Sequence, residues 1–203
     1  MIALTPKLSL TAAALALLGA CGGTTVPLPT GNDRLNLAEI KDIQESISAG
    51  YNASGTTPKA VVPVSGGATY NGYVAGNLAV PGKKTDVAGL AQVGVDFRTN
   101  RLGGTVGNFV TAAGNDIDGT LSVRNGVLNR TLNASQVTIL ADVDGTLRTE
   151  NETISVVGGV NRGGFKGNNA QYMGLPMKGN IAVNGPGGTQ RGTFALNGAL
   201  VQQ

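Results

Sequence analysis

No histidine and no tryptophan occur in this chain, and cysteine occurs once, at position 21. Without histidine there is no ordinary serine–histidine–aspartate triad, and zinc sites of the usual His/Cys type are excluded. A lone thiol closes no intramolecular disulfide, so packing and strand pairing must hold the fold. Charge is sparse too, at 13% of residues, and it is scattered without any block of five like charges. The net charge of +3 is therefore too weak and too dispersed for a nucleic-acid footprint, and no nucleic-acid partner is expected. Neither a Gly-x-x-x-x-Gly-Lys-Ser/Thr phosphate loop nor a dinucleotide fingerprint is present. The carboxylate clusters are Asp116/Asp118 and Asp142/Asp144, each on one face of a strand, with no opposing acid placed by the sequence. The chain is expected not to be an enzyme.

The position of the one cysteine is informative. Lys7 opens a short basic start, Leu8–Leu18 is apolar, and Leu18-Gly19-Ala20-Cys21 follows. That is the order of an export signal: positive region, short apolar core, small residues at the cleavage point. The apolar run is far short of the ~20 residues that span a bilayer. The four residues ending at Cys21 resemble the lipobox of bacterial lipoproteins. The resemblance implies removal of residues 1–20 and a Cys21 that becomes the acylated N-terminus, with three acyl chains of the palmitate type. Each buried methylene contributes about 0.8 kcal/mol, and more than one chain gives stable anchoring. Gly22 stands where an acidic residue retains such proteins at the inner membrane, so the expected location is the outer membrane, on the cell surface or the periplasmic face. The membrane would be met through the anchor at Cys21.

What the chain does contain is β chemistry. Thirty-two glycines accompany many Thr, Val and Asn residues, a composition of strands and turns rather than helices. Glycine weakens strands through backbone entropy, which favours a closed or well-covered sheet. Residues 1–20 read as a signal peptide and 21–34 as a flexible Gly/Thr/Pro tether. Residues 35–50 read as an amphipathic helix, 51–67 as a linker and 68–203 as the β domain. In the helix Asn36 and Glu39 form a capping-box pair, Leu37, Ile40, Ile43 and Ile47 make one apolar stripe, and Gly50 is a C-terminal stop. Strands are predicted at 69–79, 88–97, 101–110, 117–124, 135–148, 153–164, 177–184 and 191–201. Pro81-Gly82, Thr99-Asn100, Gly114-Asn115, Asn125-Gly126 and Gly185–Gly188 separate them. Eight short strands joined by hairpins predict an all-β, eight-stranded antiparallel up-and-down barrel with one short N-terminal helix. Asp116-Ile117-Asp118-Gly119-Thr120-Leu121 recurs as Asp142-Val143-Asp144-Gly145-Thr146-Leu147. Neither copy has the further ligands of a calcium loop, and the echo reads as equivalent edges of two hairpins. The Asn-x-Ser/Thr triplets at Asn52, Asn129, Asn133 and Asn151 read as turn and strand chemistry.

In the C-terminal half, Gly163-Gly164-Phe165-Lys166-Gly167-Asn168-Asn169-Ala170-Gln171, then Gly174, then Gly192-Thr193-Phe194, resemble the ending of the β-barrel domains of the transferrin-binding protein B family. Val95-Asp96-Phe97 followed by Leu102-Gly103-Gly104-Thr105-Val106 is similar to that family's Val-Asp-Phe…Leu-x-Gly hairpin. The resemblance covers roughly residues 69–200. It implies an eight-stranded barrel filled by side chains on a surface or periplasmic lipoprotein, with host-derived or nutrient ligands of the iron or haem type. The chain departs from the family in having room for one barrel, few aromatics and no long insertion, so transferrin binding does not carry over.

Phe97, Phe109, Phe165 and Phe194 read as core rings filling space that glycines vacate. Asn168–Gly174 reads as a plug or turn at one barrel end, with Tyr172 and Met173 near the rim. Tyr70, Tyr73, Tyr172 and Met173 are the candidate contacts for a protein or small-molecule ligand, with Tyr70 and Tyr73 expected to be exposed. Tyr51, Tyr70, Tyr73, Tyr172, Met173 and Met177 are the side chains able to ligate haem where histidine is missing. Two roles stand: a non-catalytic, monomeric binding module, or a structural, periplasm-facing envelope lipoprotein that contacts another membrane protein.

Overall fold

The computed structural model describes residues 34–203. The expected signal peptide, Cys21 and the tether up to residue 33 lie outside the described residues. One helix, α1 (Leu37–Ala53), precedes eight strands: β1 (Gly67–Val80), β2 (Lys83–Asp96), β3 (Arg101–Thr111), β4 (Asp116–Asn129), β5 (Thr138–Arg148), β6 (Thr153–Lys166), β7 (Tyr172–Gly185) and β8 (Gly188–Gln202). Each strand pairs antiparallel with its chain neighbour, and β1 pairs with β8, closing the barrel. Closure removes both sheet edges, which is how a glycine-rich sheet keeps its full ladder of hydrogen bonds.

Alternation along each strand sorts side chains inward and outward. On β4, Ile117, Leu121 and Val123 are buried, while Asp118, Thr120 and Arg124 are exposed. Tyr70, Val74, Val93, Phe109, Val143, Val156, Leu175 and Phe194 join them in one continuous core. An apolar interior with a polar exterior is the reverse of the alternation in a membrane-spanning barrel. All four phenylalanines are buried. Phe194 fills the space left by two glycines, since a Cβ on either Gly158 or Gly179 would lie 2.8 Å from its ring.

The strands run further than turn residues suggest, because every strand has a partner on both sides. Asn125-Gly126 is not a turn. It is a bulge within β4, where the register with β5 shifts and Asn125 takes a left-handed conformation (φ 52°), one that asparagine tolerates better than most residues. Nor does Pro176 begin a strand; β7 passes through it from Tyr172. The β6–β7 register breaks between Val160 and Gly164, opposite Pro176, so no ladder bond is required of the proline nitrogen on that side. The two Asp-x-Asp-Gly-Thr-Leu copies do not occupy equivalent hairpin edges. They pair with each other across β4 and β5, with Thr120 opposite Thr146 and each glycine opposite the other copy's leucine.

Helix α1 starts with a full capping box. Asn36 Oδ1 accepts from the Ala38 and Glu39 amides (2.9 and 3.1 Å), and Glu39 Oε2 accepts from the Asn36 amide (2.7 Å). The stripe docks on the barrel's outer wall, Ile40 on Leu90 and Val110, and Ile47 on Ala199 and Val201. That cover explains why Gly198–Val201 is buried on both faces. Gly50 does not stop the helix, which continues to Ala53. It is instead the point of close approach, where a Cβ would collide with the Tyr172 hydroxyl and lie 2.9 Å from its Cζ.

The segment 54–66 is no simple linker, because it closes one end of the barrel. The Thr57 amide donates to the Phe165 carbonyl (3.0 Å), the Lys59 amide to Ser135 (2.8 Å) and the Gly167 amide to Gly55 (2.9 Å). Val62 is buried there, and Arg130 Nε donates to Asn100 Oδ1 (2.7 Å) while its guanidinium reaches the Val62 and Pro63 carbonyls. Asn129 and Asn133 accept from the backbone two or three residues on, as turn-forming asparagines do.

Candidate functional site: the open barrel mouth

Up-and-down topology sends alternate turns to opposite ends. The β2–β3, β4–β5 and β6–β7 connections lie at the end closed by residues 54–66 and by the 3₁₀ turn Asn168–Ala170, whose Ala170 is fully buried. The four hairpins β1–β2, β3–β4, β5–β6 and β7–β8 surround the other end, which is open. A cleft of about 820 Å³ enters the barrel there. Its buried wall is Leu78 from β1, Ile117 from β4, Ile154 from β6, and Ile181 and Val183 from β7, each less than one-tenth exposed. The rim is polar, with Lys83, Asp116, Glu150 and Glu152 among its residues.

One ion pair crosses this mouth. Lys83 Nζ lies 3.0 Å from both carboxylate oxygens of Glu152. The β1–β2 and β5–β6 hairpins stand opposite each other in the closed strand order, so the pair bridges the opening like a bar. Arg34, the first described residue, sits at the same rim. Its Nη2 donates to the Ile117 carbonyl (2.8 Å), its Nη1 pairs with Asp118, and Asp116 is 3.9 Å away. Arg34 is thus held by β4 and is not part of a free tether.

The predicted contact residues fall elsewhere. Tyr70 is not exposed. It points inward with zero accessible surface, and its hydroxyl donates to the Ala170 carbonyl (2.7 Å) beneath the closed end. Burial raises its pKa well above the ordinary tyrosine value. Met173 stands one residue into β7 at the closed end, but its side chain is buried in the core, as is that of Met177, so neither is open to a partner. Tyr73 and Tyr172 face outward and form the seat of α1. The Tyr73 hydroxyl is 2.9 Å from Ser48 Oγ, and Tyr172 meets Tyr51 edge-on at 6.3 Å. Burial first, and Tyr73 second, push the Tyr51 pKa upward; Lys166 Nζ sits 4.3 Å from that ring's centroid. Tyr51 and Tyr73 border a separate external groove of about 520 Å³ beside the end of α1. None of the six side chains considered for haem lines the mouth.

The two acidic motifs are held by arginines. Asp116 and Asp118 face Arg34, and Asp144 pairs with Arg124 while Asp142 accepts from Asn125 Nδ2 (2.8 Å). Among the described residues, no group of three or more acidic, histidine or cysteine side chains is placed to hold a metal ion. The mouth residues went unnoticed in the sequence because each is merely the aliphatic residue next to a turn. The usable signal was the parity of the turns: in an up-and-down barrel, every odd-numbered hairpin shares one end.

Fold and cleft together define a closed, single-domain antiparallel barrel with one sealed end and one open, aliphatic mouth. No protein-family model matches the chain, and no curated protein matches it in sequence.

Proposed function

We propose that this chain is a lipid-anchored protein of the bacterial outer membrane, held at Cys21, whose barrel is a non-catalytic binding module of the transferrin-binding protein B type. The observation that carries the reading is the open mouth at the end where the chain arrives from Cys21. Arg34 is fastened to the rim, and thirteen residue steps separate it from Cys21. At ~3.5 Å per residue the tether reaches at most about 45 Å, so the mouth stays close to the bilayer. A wide cleft with a buried aliphatic wall suits a small ligand far better than a protein, which needs a broader surface.

Metabolic labelling with palmitate, combined with protease treatment of intact cells, tests the reading. Wild-type protein takes up label, a Cys21→Ser variant does not, and the barrel of the wild type is cleaved on intact cells if it faces outward. Label retained by Cys21→Ser overturns the anchor. A barrel protected until the outer membrane is broken assigns the chain to the periplasmic face, where the structural role with a membrane-protein partner takes over.

A further inference from the structure

We infer that the mouth binds a small amphiphile with an aliphatic chain and a cationic ammonium head group. The inference rests on reading the barrel as a binding module and specifies what that module takes. Its first support is the wall. Leu78, Ile117, Ile154, Ile181 and Val183 are buried and wholly aliphatic. They provide no aromatic face for a flat ring and no side-chain donor or acceptor for a polar one. The donors and acceptors of the lining, Thr85, Thr111, Asn115, Thr149 and Asn151 among them, belong to strand ends and turns rather than to this wall, so the part of the ligand that meets the wall is aliphatic, and a cleft of about 820 Å³ has room for it.

The second support is the charge of the rim. Among the described residues lining the cleft, Lys83 is the one cation, against Asp116, Glu150 and Glu152. Lys83 is already taken by both oxygens of Glu152. Arg34 stands 3.9 Å from Asp116, but its close ion pair is with Asp118. Glu150 has no ion-pair partner among the described residues and remains open to a ligand. A carboxylate or phosphate head would have to break the Lys83–Glu152 bar and then lie among carboxylates. An ammonium head finds Glu150 open and leaves both the Lys83–Glu152 bar and the Arg34 pairs with Asp116 and Asp118 in place.

The test uses the mature chain carrying Cys21→Ser, so that no acyl group of its own competes. Methyl resonances of Leu78, Ile117, Ile154 and Ile181 are followed by NMR during titration with octylammonium, octanoate and octanol, each below its micelle concentration. Octylammonium is expected to shift these methyls and to bind most tightly. Shortening the chain by two methylenes should weaken it about 15-fold, from roughly fourfold per buried methylene. Glu150→Gln should weaken octylammonium about two- to fivefold, the range of an exposed charge pair, and leave octanol unchanged. Octanoate binding as tightly as octylammonium, or a Glu150→Gln variant with undiminished octylammonium affinity, overturns the cationic assignment while the mouth remains a binding site. Failure of all three compounds to move the four methyls overturns the proposal and also removes the site on which the binding-module reading depends.

Discussion

Replacing Tyr70 by phenylalanine separates the hydroxyl of this residue from its ring. The ring packs against Phe165, centroid to centroid 5.8 Å, and phenylalanine keeps that contact. What disappears is the 2.7 Å hydrogen bond to the carbonyl of the fully buried Ala170. A buried acceptor left unpaired costs about 1–3 kcal/mol, so Tyr70→Phe should lose about 1–2 kcal/mol near neutral pH. The pH dependence adds a second signature. Burial raises the folded-state pKa of Tyr70 well above the ordinary value of 10.0. In the window between those two values the unfolded chain releases the Tyr70 proton and the folded chain keeps it. The stability is thus fully present below pH 10 and is lost as pH rises above it. The wild type should lose about 1.4 kcal/mol through this residue by pH 11, at 1.36 kcal/mol per pH unit once well past 10. The variant has no such loss. Urea unfolding of both proteins from pH 6 to pH 11.5 should show a constant gap up to about pH 9.5 that then narrows and closes between about pH 10.7 and 11.5. Titration of the other tyrosines and of lysines cancels in the difference. Parallel profiles across the whole range would refute a buried, hydrogen-bonded hydroxyl.

Gly76→Ala should prevent folding or cost more than about 3 kcal/mol in urea unfolding, because its Cβ would collide with the Ala195 carbonyl and sit 2.8 Å from the Leu196 Cα, both backbone atoms of β8. Gly50→Ala should lower stability by about 1–2 kcal/mol despite the ~1 kcal/mol helix-propensity gain, because the methyl meets Tyr172; combining it with Tyr172→Ala should recover that gain, and a stabilised single variant refutes the close docking. Phe194→Ala should cost about 3–5 kcal/mol by thermal or urea unfolding, since Gly158 and Gly179 offer nothing that can fill the vacated space; a loss under 1 kcal/mol would show that the barrel collapses around the gap.

Much of this fold is legible in the chain because it depends on local chemistry. Asn36 and Glu39 sit three apart before an apolar stripe, and the capping box forms as that spacing predicts. The number of strands follows from alternation between turn residues. Their limits do not, because Asn125-Gly126 and Pro176 look like breaks to local reasoning and become a bulge and a tolerated proline only when a particular neighbouring strand lies alongside. The same holds for the tyrosines. Tyr70 and Tyr73 are three residues apart on one strand, on opposite faces, and only closure and helix docking decide that one is core and the other a helix seat.

By itself the sequence determined a helix start, eight strands, their antiparallel hairpin order and therefore a barrel, since each rests on spacings of a few residues. It also determined the absence of histidine chemistry and of a disulfide framework. Which end of the barrel is sealed, where Arg34 is fastened, and that Lys83 meets Glu152 across an aliphatic mouth were decided by tertiary structure alone. Lys83 and Glu152 stand 69 positions apart in the chain, and Arg34 and Asp118 84. No local pattern encodes such distances; they appear only when β1 pairs with β8 and the four odd hairpins are brought round one opening.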